Sequence, residues 1–472
     1  MVFSSQVFLF YFLPVFFAGY YFLLWRHAKH STLNFFITVF SYIFYGWMEP
    51  WLVLLMFGST WVNYFAGKQI SASGASNFRR KASLVLSAIV NLGTLGFFKY
   101  YMFAMGGVNA LVQMFGLEPF SVLRVLLPVG ISFYTFQAMS YTIDVYRGDA
   151  PPVKNFATFA CYVSLFPQLV AGPIVRYNTV AEELENRTHT WENWMRGMIY
   201  FCLGFAKKIL IANQVGIIAD RVFGAESPGV VNAWWGSVAY MMQIYFDFSA
   251  YSDMAVGLGL MLGFHFPRNF NGPYRSGSIS EFWSRWHISL TTWLKDYLYI
   301  PLGGNRVSRR RTYVNLFLVM FASGVWHGAA MTFICWGLYH AFFMIVERVN
   351  GKRALYSRLP RFAQILLTQI IVLFGWVLFR SPDLSSAGKM WGAMLGLLPV
   401  NPANPILSAE IFTPTSIVFM LLAFAYAFSP VRAYDWCQKI SVPRLVIAFV
   451  LFAFAVLALF TQSYNPFLYF QF

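Results

Sequence analysis

Long stretches of this 472-residue chain contain no Asp, Glu, Lys or Arg, and their lengths restrict what it can fold into. They include Met1–Trp25, Trp51–Gly67, Ala82–Phe98, Val125–Ile143, Asn155–Val175, Ser227–Phe246, Phe362–Phe379, Ile411–Val431 and Leu445–Phe472. A helix needs roughly 20 apolar residues to cross the hydrocarbon of a bilayer, and most of these runs reach that length. Only 11% of the residues are charged, against about 25% in a soluble domain, so water could not be kept off so apolar a surface. In lipid every backbone polar group must be satisfied within the protein, which favours helices. The expected fold is therefore all-α: a polytopic membrane protein of about ten to twelve transmembrane or partial helices, forming one domain over residues 1–472.

The formal charge of +16 invites a nucleic-acid reading, but the cations lie between the apolar runs, which is the positive-inside pattern of a membrane protein. Clusters fall at Arg26–Lys29, Arg79–Lys81 and Arg306–Arg311. All three connections are expected in the cytoplasm, with the N-terminus outside. The first run has no basic leader and no small-residue cleavage site, so it is read as a retained span. Cys161, Cys202, Cys335 and Cys437 show neither disulfide-framework nor zinc spacing and are read as packing residues.

Three segments depart from a plain crossing helix. Phe156–Tyr177 is interrupted by Pro167, Gly172 and Pro173, so it either dips into the membrane and returns or forms one kinked span. Ile279–Arg306 places Trp283, Trp286, Leu290, Trp293, Leu294 and Tyr297 at spacings of three and four, which predicts an amphipathic helix lying in the interface. Between Arg268 and Arg311 there are eight Lys or Arg against Glu281 and Asp296, which puts this stretch on the cytoplasmic side. Thr312–Val346 is 35 residues without charge, too long for one crossing at about 1.5 Å per residue. It must tilt, break or hold two partial spans, with the small residues of Ser323–Ala330 as the weak point. Gly106–Arg124, after Ala82–Tyr101, reads as a weakly amphipathic interfacial piece.

Asp247 and Asp253 lie inside one apolar run, and Lys207 and Lys208 inside another. Ion pairs locking the two helices together are the expected arrangement, although charges within a span also mark transport pathways.

No nucleotide-binding glycine loop, metal-ligand spacing or GxSxG nucleophile elbow is present. The chemistry on offer is histidine. His27, His30 and His189 fall in polar loops and are read as solvated, and His265 stands at a span end. His287, His327 and His340 remain. A neutral imidazole survives in a membrane interior and still accepts a proton, which suits a general base. His340 is read as a helix-packing hydrogen bond. His327, among glycines at the break of the overlong run, is compatible with either a packing or a catalytic role.

The segments WSRWHISLTTWLKDYLYIPLGGNR from Trp283 and SGVWHGAAMTFICWGLYH from Ser323 resemble the membrane-bound O-acyltransferase superfamily. LLPVGISFYTFQAMSYTIDVYRG, PQLVAGPIVRY, YFDFSAYSDMAVGLGLMLGF and GWVLFRS are similar to its bacterial branch of polysaccharide O-acetylation proteins, alginate-acetylating members among them. The resemblance runs over most of the chain and weakens after Ser381. It implies a helical enclosure in the bacterial inner membrane with a central funnel leading to a catalytic histidine at His327. It further implies that His287, Trp326, Asp296, Asn305 and Arg306 shape the substrate site. The implied donor is cytoplasmic acetyl-CoA, with no bound cofactor or metal. The implied partners are a periplasmic acetyltransferase and the polysaccharide-synthesis complex. The competing class is a transporter or flippase of a lipid-linked or sugar substrate, for which broken helices and Asp247 and Asp253 would speak.

Overall fold

A computed structural model describes residues 1–47, 49–351, 353–401 and 404–468; the last four residues of the Leu445–Phe472 run lie outside the described residues. Every regular element among the described residues is helical. Among the described residues five helices are long and apolar enough to cross a membrane: Phe8–Trp25, Asn77–Met114, Trp191–Phe223, Arg361–Arg380 and Val442–Thr461. Asn404–Ile411 and Pro414–Phe428, bent by 61° at their junction, form a sixth if taken together. The chain is a multi-pass membrane protein. It divides into two compact units, Met1–Met198 with Ala255–Pro267, and Ile199–Met254 with Arg268–Phe472.

The first unit is built around a buried amide network. Asn63 Oδ1 accepts from Ser87 Oγ at 2.7 Å and from Asn91 Nδ2 at 2.8 Å, and Ser87 Oγ lies 3.0 Å from Thr142 Oγ1. This joins the helices Leu52–Ile70, Asn77–Met114 and Ile131–Arg147. Between membrane helices there is little hydrophobic drive, so such polar contacts and close packing hold them together. A second anchor is Arg187, only 4% exposed, which donates from Nε to Tyr20 Oη at 2.9 Å and from Nη1 to Asn34 Oδ1 at 2.6 Å. Tyr20 Oη also lies 2.9 Å from His189 Nε2, so this histidine is part of a buried network and not merely solvated as its polar loop implied. His265 lies just beyond the helix Val230–Met261, where its hydrogen bond to the Glu183 carboxylate raises its pKa above the ordinary imidazole value.

One expectation in this unit is corrected, and one of two open alternatives is excluded. Gly106–Arg124 is not a separate interfacial piece, because the helix that begins at Asn77 continues through both glycines to Met114. Phe156–Tyr177 is not one kinked span. The helix Phe156–Ser164 ends at Leu165, a four-residue turn Phe166–Leu169 follows, and irregular backbone runs on to Arg176. This segment is almost wholly buried, and its broken backbone is met from inside the protein: Ser41 Oγ accepts from Phe166 N at 3.1 Å, and Gln168 donates to Tyr162 O at 2.9 Å.

In the second unit the intramembrane charges pair as expected. Lys207 Nζ lies 2.5 Å from Asp253 Oδ2, and Lys208 Nζ lies 2.6 Å from Asp247 Oδ1. A π-helical turn over Lys207–Ala212 carries both lysines. The lysine helix and the helix Val230–Met261 meet closely because Gly204 has no Cβ; one there would stand 2.7 Å from Ala250 O. The four cysteines are free thiols, three of them buried.

Candidate active site

The 35-residue uncharged run breaks where its small residues cluster. The helix Arg309–His327 ends at Gly328, whose backbone is extended, and the helix Met331–Val349 returns. The two helices cross at bare backbone. A Cβ on Gly324 would overlap Phe333 O, and one on Gly337 would overlap Met320 O. His327 is therefore the last residue of a helix whose end is clamped against its partner. Gly324→Val should push the hairpin apart and destabilise the protein by about 1–3 kcal/mol, the usual range for overpacking, read as earlier thermal unfolding in detergent. A Gly324→Val protein with unchanged melting would refute the clamp.

The His327 side chain is 4% exposed and sits among aromatic rings. Ring centroids lie 4.9 Å away at Trp326, 5.0 Å at Trp336 and 5.1 Å at Phe379, each close to perpendicular. Trp326 in turn meets His287 at 5.9 Å, and Trp336 meets His340 at 5.1 Å. Three histidines are thus linked in space through two tryptophans, although they are spread over more than fifty residues of sequence. His340 is fully buried, packed by Phe282, Trp283, Trp336 and Tyr339. Neither of its ring nitrogens has a hydrogen-bond partner among the described residues, so the packing hydrogen bond expected for it is replaced by ring contacts.

The single amphipathic helix expected over Ile279–Arg306 is absent. The chain forms the helix Ile279–Arg285, breaks at Trp286–His287, forms the helix Ile288–Leu294 and then a π-helical turn over Lys295–Tyr299. Its aromatic face does not lie at an interface: Trp283, Trp286, Leu290 and Trp293 are each at most 6% exposed. The break is enforced by Asn269. Its backbone oxygen accepts from Ile288 N at 3.0 Å, and its Oδ1 accepts from Ser289 N at 3.2 Å and Ser289 Oγ at 2.9 Å. These bonds hold His287 at a φ of +44°, a left-handed conformation that is unfavourable for a residue with a Cβ. Glu347 caps the preceding helix by accepting from Ile279 N at 2.6 Å and Ser280 N at 2.9 Å, which ties it to the returning helix of the hairpin.

The same Asn269 Oδ1 lies 3.2 Å from His287 Nδ1. Because that oxygen already accepts from a backbone N–H, it is the acceptor here too, and the ring donates from Nδ1. A neutral His287 then carries its lone pair on Nε2. Nothing in the sequence singled out Asn269, Trp336 or Phe379, since none of them stands at a diagnostic spacing.

The turn Leu302–Arg306 follows. Gly303 and Gly304 adopt φ of +100° and +55°, and Asn315 on the His327 helix donates to Leu302 O and Gly304 O, both at 3.1 Å. Asn305 and Arg306 are exposed on this turn, and Asp296 is half-buried in the π-helical turn before it. The geometry thus brings His287, Trp326 and His327 into one ring-lined cluster, and holds Asn305 and Arg306 on an exposed turn tied to the same helix. Among the described residues no group of three or more His, Cys, Asp or Glu could hold a metal ion.

The chain matches the profile of the membrane-bound O-acyltransferase family over residues 149–380, a stretch that contains this cluster. It is 43% identical to the probable alginate O-acetylase AlgI of Pseudomonas putida over the full length of both chains. It is 33% identical to the peptidoglycan O-acetyltransferase of Helicobacter pylori over all of this chain and 98% of that one. It is 30% identical to the teichoic acid D-alanyltransferase of Bacillus subtilis over 53% of this chain and 67% of that protein. A polytopic helical chain with a buried histidine at a clamped helix break, matched in this way over its whole length, belongs to the membrane-bound O-acyltransferase family and is an O-acyltransferase.

Proposed function

We propose that this protein transfers acetyl from a cytoplasmic donor, acetyl-CoA, towards a secreted polysaccharide, with His327 as the general base. The observation that carries this reading is His327 itself, a buried imidazole ending a helix that its glycines clamp, surrounded by rings. In the step envisaged, the acceptor hydroxyl attacks the thioester carbonyl. A C–O bond forms, the C–S bond breaks, and the hydroxyl proton passes to His327 and on to the departing thiolate. The aromatic surround keeps water scarce at the imidazole, so that acyl transfer competes with hydrolysis. His287 and Trp326 shape the acceptor side of the pocket. Arg306, with Asn305 and Asp296, positions the donor, and the exposed Arg309–Arg311 cluster attracts its phosphates from the cytoplasm. The names of the full-length relatives support an alginate-like or peptidoglycan acceptor. The proposal adds a periplasmic acetyltransferase partner and a setting in the bacterial inner membrane, both implied by the family resemblance.

The transporter reading leaned on Asp247 and Asp253, and each is engaged by a lysine of the neighbouring helix. The decisive test supplies acetyl-labelled CoA to the full chain in vesicles together with the periplasmic acetyltransferase partner and an acceptor polysaccharide. Ester-linked label on the acceptor is the expected result. Movement of an intact solute with no ester formed would overturn the proposal.

Asn269 is assigned here as a positioning residue that acts through His287. Asn269→Ala should lower kcat about tenfold with little change in KM, the worth of one hydrogen bond of about 1.4 kcal/mol. Asn269→Asp, which keeps the acceptor oxygen, should recover part of the rate. Equal loss in both variants, or a change confined to KM, would count against the positioning role.

A further inference from the structure

A cavity of about 570 Å³ opens in the second unit, away from the histidine cluster. Its wall is apolar, with Leu203, Leu210, Phe419, Leu422 and Phe454 among the lining residues. Leu422 and Phe454 are 51% and 59% exposed, so the cavity opens on the apolar outer surface that faces lipid in a membrane protein. Pockets that bury small ligands span about 300–1,000 Å³, so the space suits a flexible hydrocarbon chain.

Arg432 and Trp436 also line the cavity. Lys207 does too, but its charge is neutralised by Asp253. Arg432 has no such partner: among the described residues none of Arg268, Arg275 and Arg432 forms an ion pair with a carboxylate. It reaches across Gly272, at a position where any Cβ would collide with its guanidinium, and donates to Val431 O at 3.0 Å. Arg268 lies over the Tyr434 ring at 5.3 Å in the same loop. Burial, together with the nearby Arg275 and Arg285, holds the Arg432 guanidinium below its ordinary pKa. An uncompensated cation beside an apolar slot is complementary to one kind of molecule, an anion attached to a hydrocarbon chain. The loop also lies on the side that the positive-inside pattern assigns to the cytoplasm, because it packs on the basic Arg268–Arg285 stretch. Basic pockets between helices on that side are where anionic headgroups bind.

We propose that this cavity is a binding site for one anionic phospholipid of the surrounding bilayer, with an acyl chain between the helices Pro414–Phe428 and Val442–Thr461 and the phosphate on Arg432. Trp436 covers the junction of chain and headgroup, the depth at which tryptophan is favoured in membranes. The site is independent of the acyl-transfer chemistry and does not rest on it.

Native mass spectrometry of the full chain extracted from membranes containing phosphatidylglycerol and phosphatidylcholine tests this. The wild type should retain one phosphatidylglycerol. Arg432→Gln should lower its occupancy about fivefold, the worth of one cation at an anionic headgroup. Arg432→Lys should restore most of it. Leu422→Trp, which fills the mouth from an exposed position and spares the fold, should lower occupancy of either lipid. The melting temperature in vesicles should rise with phosphatidylglycerol and not with phosphatidylcholine. Equal retention of the two lipids by the wild type would overturn the proposal. So would unchanged occupancy in Arg432→Gln and Leu422→Trp, or equal stabilisation by inorganic phosphate alone.

Discussion

His327→Ala should lower acyl transfer by a factor of roughly 10²–10⁴, the contribution usual for a positioned general base, while the protein remains folded and membrane-inserted. The size of the loss follows from what the residue's neighbours can supply. The rings at Trp326, Trp336 and Phe379 offer packing and an indole N–H but nothing that accepts a proton near neutral pH. Truncation also leaves a void between three aromatic side chains, which has its own structural effect. His327→Gln therefore serves as the companion variant, since it fills most of the volume and keeps hydrogen bonding without basicity. If both variants fold and both lose acetyl transfer to the acceptor, the proton-transfer role stands. If the glutamine variant keeps wild-type rates, the imidazole acts only as packing and the proposed mechanism fails. Melting in detergent, measured alongside, separates either result from unfolding.

Much of this site is legible in the amino-acid sequence. The run Thr312–Val346 is too long to cross once and carries small residues at Ser323–Ala330, and the helix does break there, one residue past His327. The lysine and aspartate pairs are legible for a similar reason, since four charges on two apolar helices have few partners besides each other. What failed was periodicity. Trp283 to Tyr297 fit a continuous amphipathic helix by spacing, yet the chain turns back at His287. A 3.6-residue pattern reports which side chains share an apolar environment, and it does not distinguish lipid from a protein core. The break is set by hydrogen bonds that Asn269 accepts, eighteen residues from His287, and no local propensity encodes a contact of that range. Trp336 and Phe379 escaped notice for the complementary reason. In a chain that is 20% aromatic, a ring that touches the candidate base looks like every other ring.

The second large effect belongs to the buried pair Lys208–Asp247. Lys208→Met should destabilise the second unit by roughly 3–5 kcal/mol, because it leaves the Asp247 carboxylate buried without its cation. The two side chains are only 4% and 2% exposed, so water cannot substitute for the missing partner. Asp247 Oδ2 also accepts from Leu468 N at 2.9 Å, and Lys208 Nζ donates to Pro466 O. With Asn213 donating to Tyr464 O at 3.2 Å, the pair fastens the segment after the helix Val442–Thr461 onto the lysine helix. Two readouts should therefore move together in Lys208→Met: the melting temperature falls, and backbone amides near Leu468 exchange faster with solvent. The double variant Lys208→Met, Asp247→Leu removes both charges and should be more stable than either single variant. It should not return fully to wild type, since Leu468 N and Pro466 O still lose their partners and an unmade buried hydrogen bond costs about 1–3 kcal/mol. Additive losses in the double variant would mean that the two side chains do not form a coupled pair. If the single variant melts like wild type but its C-terminal amides are exposed, the pair acts as a clasp for that segment, and the helices are held by the Gly204 crossing instead.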